Sequence, residues 1–141
     1  MKKALLISAL SCGLFTDLNA KMKCDMEAVN RGSQQAINIC AAIDFNKADR
    51  ILNDTYKKLT EKHKNNKAFI KNLKLSQRAW IKFRDAEAKM ILTYTGGWEN
   101  GGTMYSMLHS GEMLVLTKQR TEVLKEYIKN GFIDDEDFMN K

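Results

Sequence analysis

Two short runs in the middle of the chain carry acidic, amide and aromatic side chains that could form ion pairs and hydrogen bonds inside a protein. Asp49, Asn53 and Tyr56 recur at steps of four and three residues, so they share one face of a helix. Arg84 follows Trp80 by four residues, and its guanidinium offers five donors in a rigid fork that matches a carboxylate. This spacing predicts a buried polar network in which an arginine meets an acidic partner.

The predicted network joins arginines to carboxylates. We expect that Asp49 or Asp85 pairs with Arg84 or Arg120. A catalytic site is the alternative, but no histidine, serine or cysteine nucleophile accompanies these residues, and buried polar networks commonly serve as scaffolding. The sequence therefore predicts a protein that is not an enzyme, with no catalytic residue and no cofactor. The full predicted network is Asp49, Asn53, Tyr56, Gln77, Trp80, Arg84, Asp85 and Arg120.

A glycine-rich stretch at residues 96–102 contains Trp98 and Glu99. It lacks the lysine and the preceding strand of a P-loop, so it is not a phosphate cradle. An aromatic residue in such a loop either folds back as a lid or stands exposed as an interface anchor, and both roles stay open for Trp98. We take Trp98 and Glu99 as candidate partner-binding residues.

A second candidate surface is basic. Seven lysines and one glutamate lie between residues 57 and 74. One interpretation is a solvated end that keeps the protein soluble; the other is contact with an anionic membrane surface, a cell-wall polymer or an acidic protein. No nucleic-acid recognition motif is present, so nucleic acid is not an expected partner. The candidate partner-binding lysines are Lys62, Lys64 and Lys67.

Long helices must position these residues. The chain has 141 residues, 44% of them apolar and 28% charged, which fits one soluble globular domain. It has no proline, so no helix is interrupted by a proline kink. Gly32 and Ser33 predict a helix start, and Gly131 predicts a helix end. The apolar periodicity predicts helices over residues 34–63, 67–94 and 103–129.

Each predicted helix has an apolar stripe. That of the first includes Ile51 and Leu52, and that of the second includes Phe83 beside Arg84. The stripe of the third includes Gly111, which would let another backbone approach closely. Three amphipathic helices with short joins predict an all-α fold, a small antiparallel bundle of three long helices.

The first twenty residues have the pattern of a secretory signal peptide. Residues 1–3 are a basic start, residues 4–15 an apolar run too short to cross a bilayer, and residues 16–20 a more polar end. We predict cleavage after Ala20 and a periplasmic or secreted protein. The alternatives are lipidation at Cys12, which would anchor the protein to a membrane, and a buried N-terminal helix.

Removal of residues 1–20 leaves 21 basic and 16 acidic residues, a net charge of about +5 over 121 residues. It also leaves an even number of cysteines, Cys24 and Cys40, in an oxidising compartment. We predict a disulfide between them, the alternative being two buried free thiols. His63 and His109 lie far from both in sequence, so no metal site is expected. The expected organisation is a signal peptide at 1–20, a helical domain at 21–131 and an acidic tail at 132–141.

Four ordered blocks resemble the LprI-like lysozyme-inhibitor family. The resemblance covers roughly residues 24–128, and Cys24 and Cys40 occupy the positions of the family's first cysteine pair. The blocks are Ser33-Gln34-x-x-Ile37-Asn38-x-Cys40-Ala41, Asp49-x-x-Leu52-Asn53-x-x-Tyr56, Gln77-x-x-Trp80-x-x-Phe83-Arg84-Asp85-Ala86-Glu87 and Thr117-x-x-Arg120-x-x-x-Leu124.

The resemblance implies an exported bacterial binding protein that protects the cell wall by blocking a muramidase cleft. Its partner would be a protein, a lysozyme or another envelope protein. The alternative function is a periplasmic structural or interaction module, such as an immunity or envelope-stress component, that does not inhibit lysozyme.

Overall fold

The computed structural model describes residues 23–94 and 102–131, and every regular element within them is a helix. This confirms the predicted all-α class. Among the described residues, the three predicted long helices are present and begin and end within two residues of the predicted bounds, and a fourth, short helix that was not predicted precedes them. The helices are α1 Met26–Asn30, α2 Gln34–Lys62, α3 Lys67–Tyr94 and α4 Tyr105–Asn130.

Helix α1 is held in place by a cap and by a disulfide. The Asp25 carboxylate accepts a hydrogen bond from the Ala28 amide at 3.0 Å, which satisfies one of the free donors at the helix start. Cys24, just before α1, forms a disulfide with Cys40 in the second turn of α2. The predicted disulfide is therefore confirmed, and it ties the beginning of the domain to its first long helix.

The ends of the long helices carry their expected signals. The Ser33 hydroxyl accepts a hydrogen bond from the Ala36 amide, and Gly32 before it adopts a φ of +80°. Asn66 caps α3, because its side-chain oxygen accepts from the Phe69 amide at 2.9 Å. Gly131 ends α4 with a φ of +75°, a conformation that favours glycine.

Two hydrogen bonds fix the directions of the helices. Near the start of α2, the Asn38 amide donates to the Thr103 carbonyl at 2.8 Å, and at its end the Lys62 ammonium donates to the Ile128 carbonyl. Helices α2 and α4 therefore run parallel, and they make the most extensive contact in the described part of the chain. Helix α3 returns antiparallel to both and packs mainly on α4.

The core lies toward the end of the bundle where α2 passes into α3. Four buried leucines form it, and Tyr56, Phe69, Trp80, Tyr127 and Ile128 pack around them half-buried. The leucines come from all three long helices, so each helix is held by burial of apolar surface as well as by polar contacts. They are Leu52, Leu59, Leu73 and Leu124.

The predicted stripes need three corrections. Ile51 is 53% exposed and the neighbouring Leu52 only 2%. Phe83 is 52% exposed, whereas Arg84 is buried at 9%. A Cβ built on Gly111 would meet no atom within 4 Å, so the close approach that this glycine would allow does not occur among the described residues.

Candidate functional site

Arg84 is the centre of the polar network. It lies on the buried face of α3, and its side chain is 11% exposed. Its Nε and Nη2 atoms meet one oxygen of Asp85 at 3.0 and 2.9 Å. Its Nη1 atom reaches across to Asp49 on α2 at 3.5 Å. One arginine therefore pairs with both carboxylates, and the pair with Asp49 connects α3 to α2.

The acceptor on α2 is oriented by its own neighbour. Asn53, one turn along the helix, donates from Nδ2 to the second oxygen of Asp49 at 2.9 Å. The two oxygens of Asp49 thus face different donors, which limits rotation of the carboxylate. Phe45, one turn before Asp49, presents its ring to the guanidinium of Arg84 at 5.6 Å.

Arg120 on α4 forms a second centre. Its Nε donates to the Gln77 side-chain oxygen and its Nη2 to the Ser76 hydroxyl, each at 3.1 Å. Burial lowers the pKa of Arg120, and the nearby Tyr127 hydroxyl opposes that shift. These bonds connect α4 to α3, just as Arg84 connects α3 to α2.

Trp80 joins the two centres. Its ring lies 5.3 Å from the Arg84 guanidinium and 6.0 Å from that of Arg120, so two cations share one aromatic ring. Tyr56 packs against the leucine core. The structure thus connects the predicted network residues other than Tyr56 between the long helices, with Arg84 and Arg120 as the two cations.

This arrangement of ion pairs and hydrogen bonds fits a structural role. Each charged group faces a fixed partner, and the carboxylates remain ion-paired. Within residues 23–94 and 102–131, no group of three or more histidine, cysteine, aspartate or glutamate side chains could hold a metal ion. The Ser76 hydroxyl belongs to this network, which corrects the expectation that no serine accompanies these residues. The network can fix the relative positions of three helices.

The three candidate lysines lie at the join between α2 and α3. Lys62 spans to α4 by donating to the Ile128 carbonyl. Lys64 pairs with Glu61 at 2.6 Å, and this hydrogen bond raises the pKa of the lysine. Lys67 is the first residue of α3 and is exposed. The lysines share one end of the molecule, but only Lys67 is without a partner among the described residues.

Several predicted features lie outside the described residues. These are the signal peptide at 1–20 with Cys12, the loop residues Trp98 and Glu99, and the acidic tail at 132–141. In the part that the structure does describe, no helix is long and apolar enough to cross a membrane.

Two features were missed by sequence reasoning. One is Phe45 beside Arg84, which its spacing of four residues before Asp49 could have indicated. The other is an open groove of about 610 Å³ between α2 and α4, with Ala48, Ile51 and Leu114 among its lining residues. The sequence carries no signal for the groove, because the exposure of Ile51 depends on how α2 and α4 pack.

Comparisons with known proteins agree with the blocks in the sequence. The family model described as lysozyme inhibitor LprI matches residues 24–124. An uncharacterised protein of Rhizobium meliloti (strain 1021) is 36% identical over 111 residues, which cover 70% of this chain and 76% of that protein. No solved structure matches the chain.

Proposed function

Because the chain belongs to the LprI lysozyme-inhibitor family, we propose that it is an exported bacterial protein that blocks the substrate cleft of a muramidase and so protects the cell wall. The family is one of inhibitors and not of enzymes, and its members are typically exported. The observation that carries the proposal is the extent of the match, since residues 24–124 include the disulfide, the leucine core and both arginine centres.

The construction of the domain supports an inhibitory role. A binding protein that is rigid before it docks loses little conformational entropy on binding. The disulfide fixes the beginning of α2, Arg84 ties α3 to α2, and Arg120 ties α4 to α3. The network therefore acts indirectly, by holding a contact surface in one shape.

The proposed contact residues form two sets. Muramidases cleave with a pair of carboxyl groups in the cleft, and a cationic or polar element suits such a cleft. Lys62, Lys64 and Lys67 offer that charge at one end. Trp98 and Glu99, which lie between α3 and α4 in the sequence, are the second set of candidates.

The test is the rate at which lysozyme clears a cell-wall suspension in the presence of the exported protein. We expect slower lysis in the presence of the parent protein. The K62Q/K64Q/K67Q variant or the W98A variant should need at least a tenfold higher concentration to slow lysis to the same extent, since anchor residues dominate such interfaces. A K47Q/K118Q/K125Q variant has the same change in charge outside the basic stretch at residues 57–74 and should inhibit normally. Unchanged lysis at micromolar excess would refute inhibition of that lysozyme and favour the periplasmic interaction module instead.

A further inference from the structure

Helix α3 has an apolar stripe on the side that does not face the core. Its members follow one another at steps of three and four residues, so they form one continuous line along the helix. Leu75, Phe83 and Met90 are 52–57% exposed, and Tyr94 at the end is 92% exposed. Scattered apolar residues are normal at a surface, but a line over five helical turns is not. The stripe is Leu75, Ala79, Phe83, Ala86, Met90 and Tyr94.

A row of cations runs beside the stripe. Four of the stripe residues are each directly preceded by a lysine or arginine. These basic side chains therefore lie about a quarter turn around the helix from the stripe. Asp85 interrupts the row, and its charge is already used by Arg84. The basic row is Lys71, Lys74, Arg78, Lys82 and Lys89.

The basic row differs from several lysines of the other two long helices in forming no ion pair. On α2 and α4, Lys47, Lys57 and Lys125 each pair with an acidic residue three positions earlier. No member of the basic row forms an ion pair within the described residues. Helix α3 carries seven basic and two acidic residues, so its net charge of +5 accounts for most of the +6 of the whole chain.

From the stripe and the basic row together we infer that this face of α3 docks on an anionic membrane surface. The stripe enters the boundary between headgroups and acyl chains, and the basic row meets the lipid phosphates beside it. A long helix with one apolar and one cationic line is the form of a segment that lies in the plane of a membrane. A second copy of the chain would instead bring a second row of the same charge.

This inference goes beyond the proposed inhibition and is independent of it. Lys62 and Lys64 lie outside α3, so docking through this face of α3 does not use them. If the protein does not inhibit lysozyme, we still expect it to bind anionic vesicles. If it does not bind vesicles, the proposed inhibition of a muramidase is unaffected.

The experiment is sedimentation of the exported protein with vesicles of phosphatidylcholine, with or without about 30% phosphatidylglycerol. Each basic residue near an anionic surface strengthens partitioning about fivefold, so K74Q/R78Q/K82Q should weaken binding on the order of 100-fold. F83Q should weaken it about tenfold. K47Q/K118Q/K125Q is the matched control, because it removes the same charge from α2 and α4. All variants share the same N-terminus.

The inference is supported if the protein binds anionic vesicles, if the α3 triple variant loses that binding and if the control triple variant keeps it. Absence of binding to anionic vesicles would overturn it. Equal losses in the two triple variants would also do so, because they would show a response to net charge alone. A dimer in solution that F83Q converts to a monomer, without vesicle binding, would assign the face to a second copy instead.

Discussion

The most informative single substitution is Arg84→Met, which keeps most of the side-chain volume and removes the charge at the centre of the network. Asp49 and Asp85 are 40% and 55% exposed, so water screens both ion pairs and each is worth at most about 1 kcal/mol. The rings of Trp80 and Phe45 add about 0.5–1 kcal/mol each. We therefore expect a loss of about 2–3 kcal/mol in the free energy of unfolding.

The assay is urea unfolding followed by far-ultraviolet circular dichroism, with Arg78→Met as the matched control. Arg78 lies on the same helix but is exposed and has no ion pair among the described residues, so its replacement should cost within about 0.5 kcal/mol. The Arg84 variant should also melt roughly 10 °C lower than the parent.

A double-mutant cycle isolates the contact between α2 and α3. Asp49→Asn should cost less in the Arg84→Met background than in the parent, with a coupling of about 0.5–1 kcal/mol. The reasoning is refuted if the Arg84 and Arg78 variants unfold at the same urea concentration. Additive effects in the cycle would show that Asp49 and Arg84 do not stabilise the fold through each other.

Two further predictions concern the disulfide and Gly111. The Cys24→Ser/Cys40→Ser variant should lose on the order of 3 kcal/mol in urea unfolding, because a covalent loop of about 16 residues restricts the unfolded chain; a loss below about 0.5 kcal/mol would contradict this. Gly111→Ala should raise the free energy of unfolding by about 0.4–1 kcal/mol, since the new methyl group has open space and alanine favours a helix interior; a lower melting temperature would show an unrecognised contact.

The sequence predicted the helices well because their signals are local. Ser33 and Gly131 mark helix ends through their own hydrogen bonds and φ angles, which need no tertiary contact. Helix α1 was missed because five residues are too few to show a periodicity.

The faces of the helices were harder to predict because neighbouring residues differ by only about 100° around a helix. Hydrophobicity favours burial of Phe83 over Arg84. Arg84 is nevertheless buried, because its guanidinium pairs with two carboxylates and contacts two aromatic rings. In α4, Ser110, Thr117 and Thr121 occupy buried positions, so an apolar pattern cannot locate that face. Such placements depend on partners from other helices.

The central claim, that the protein blocks a muramidase cleft, is tested most directly with lysozyme and a small soluble oligosaccharide substrate. A cationic protein could slow lysis of a cell-wall suspension merely by coating the anionic wall, and a soluble substrate removes that route. Occupation of the cleft predicts that the apparent KM rises with the concentration of the exported protein while kcat stays constant. An unchanged rate at micromolar excess, or a fall in kcat with KM unchanged, would contradict the claim.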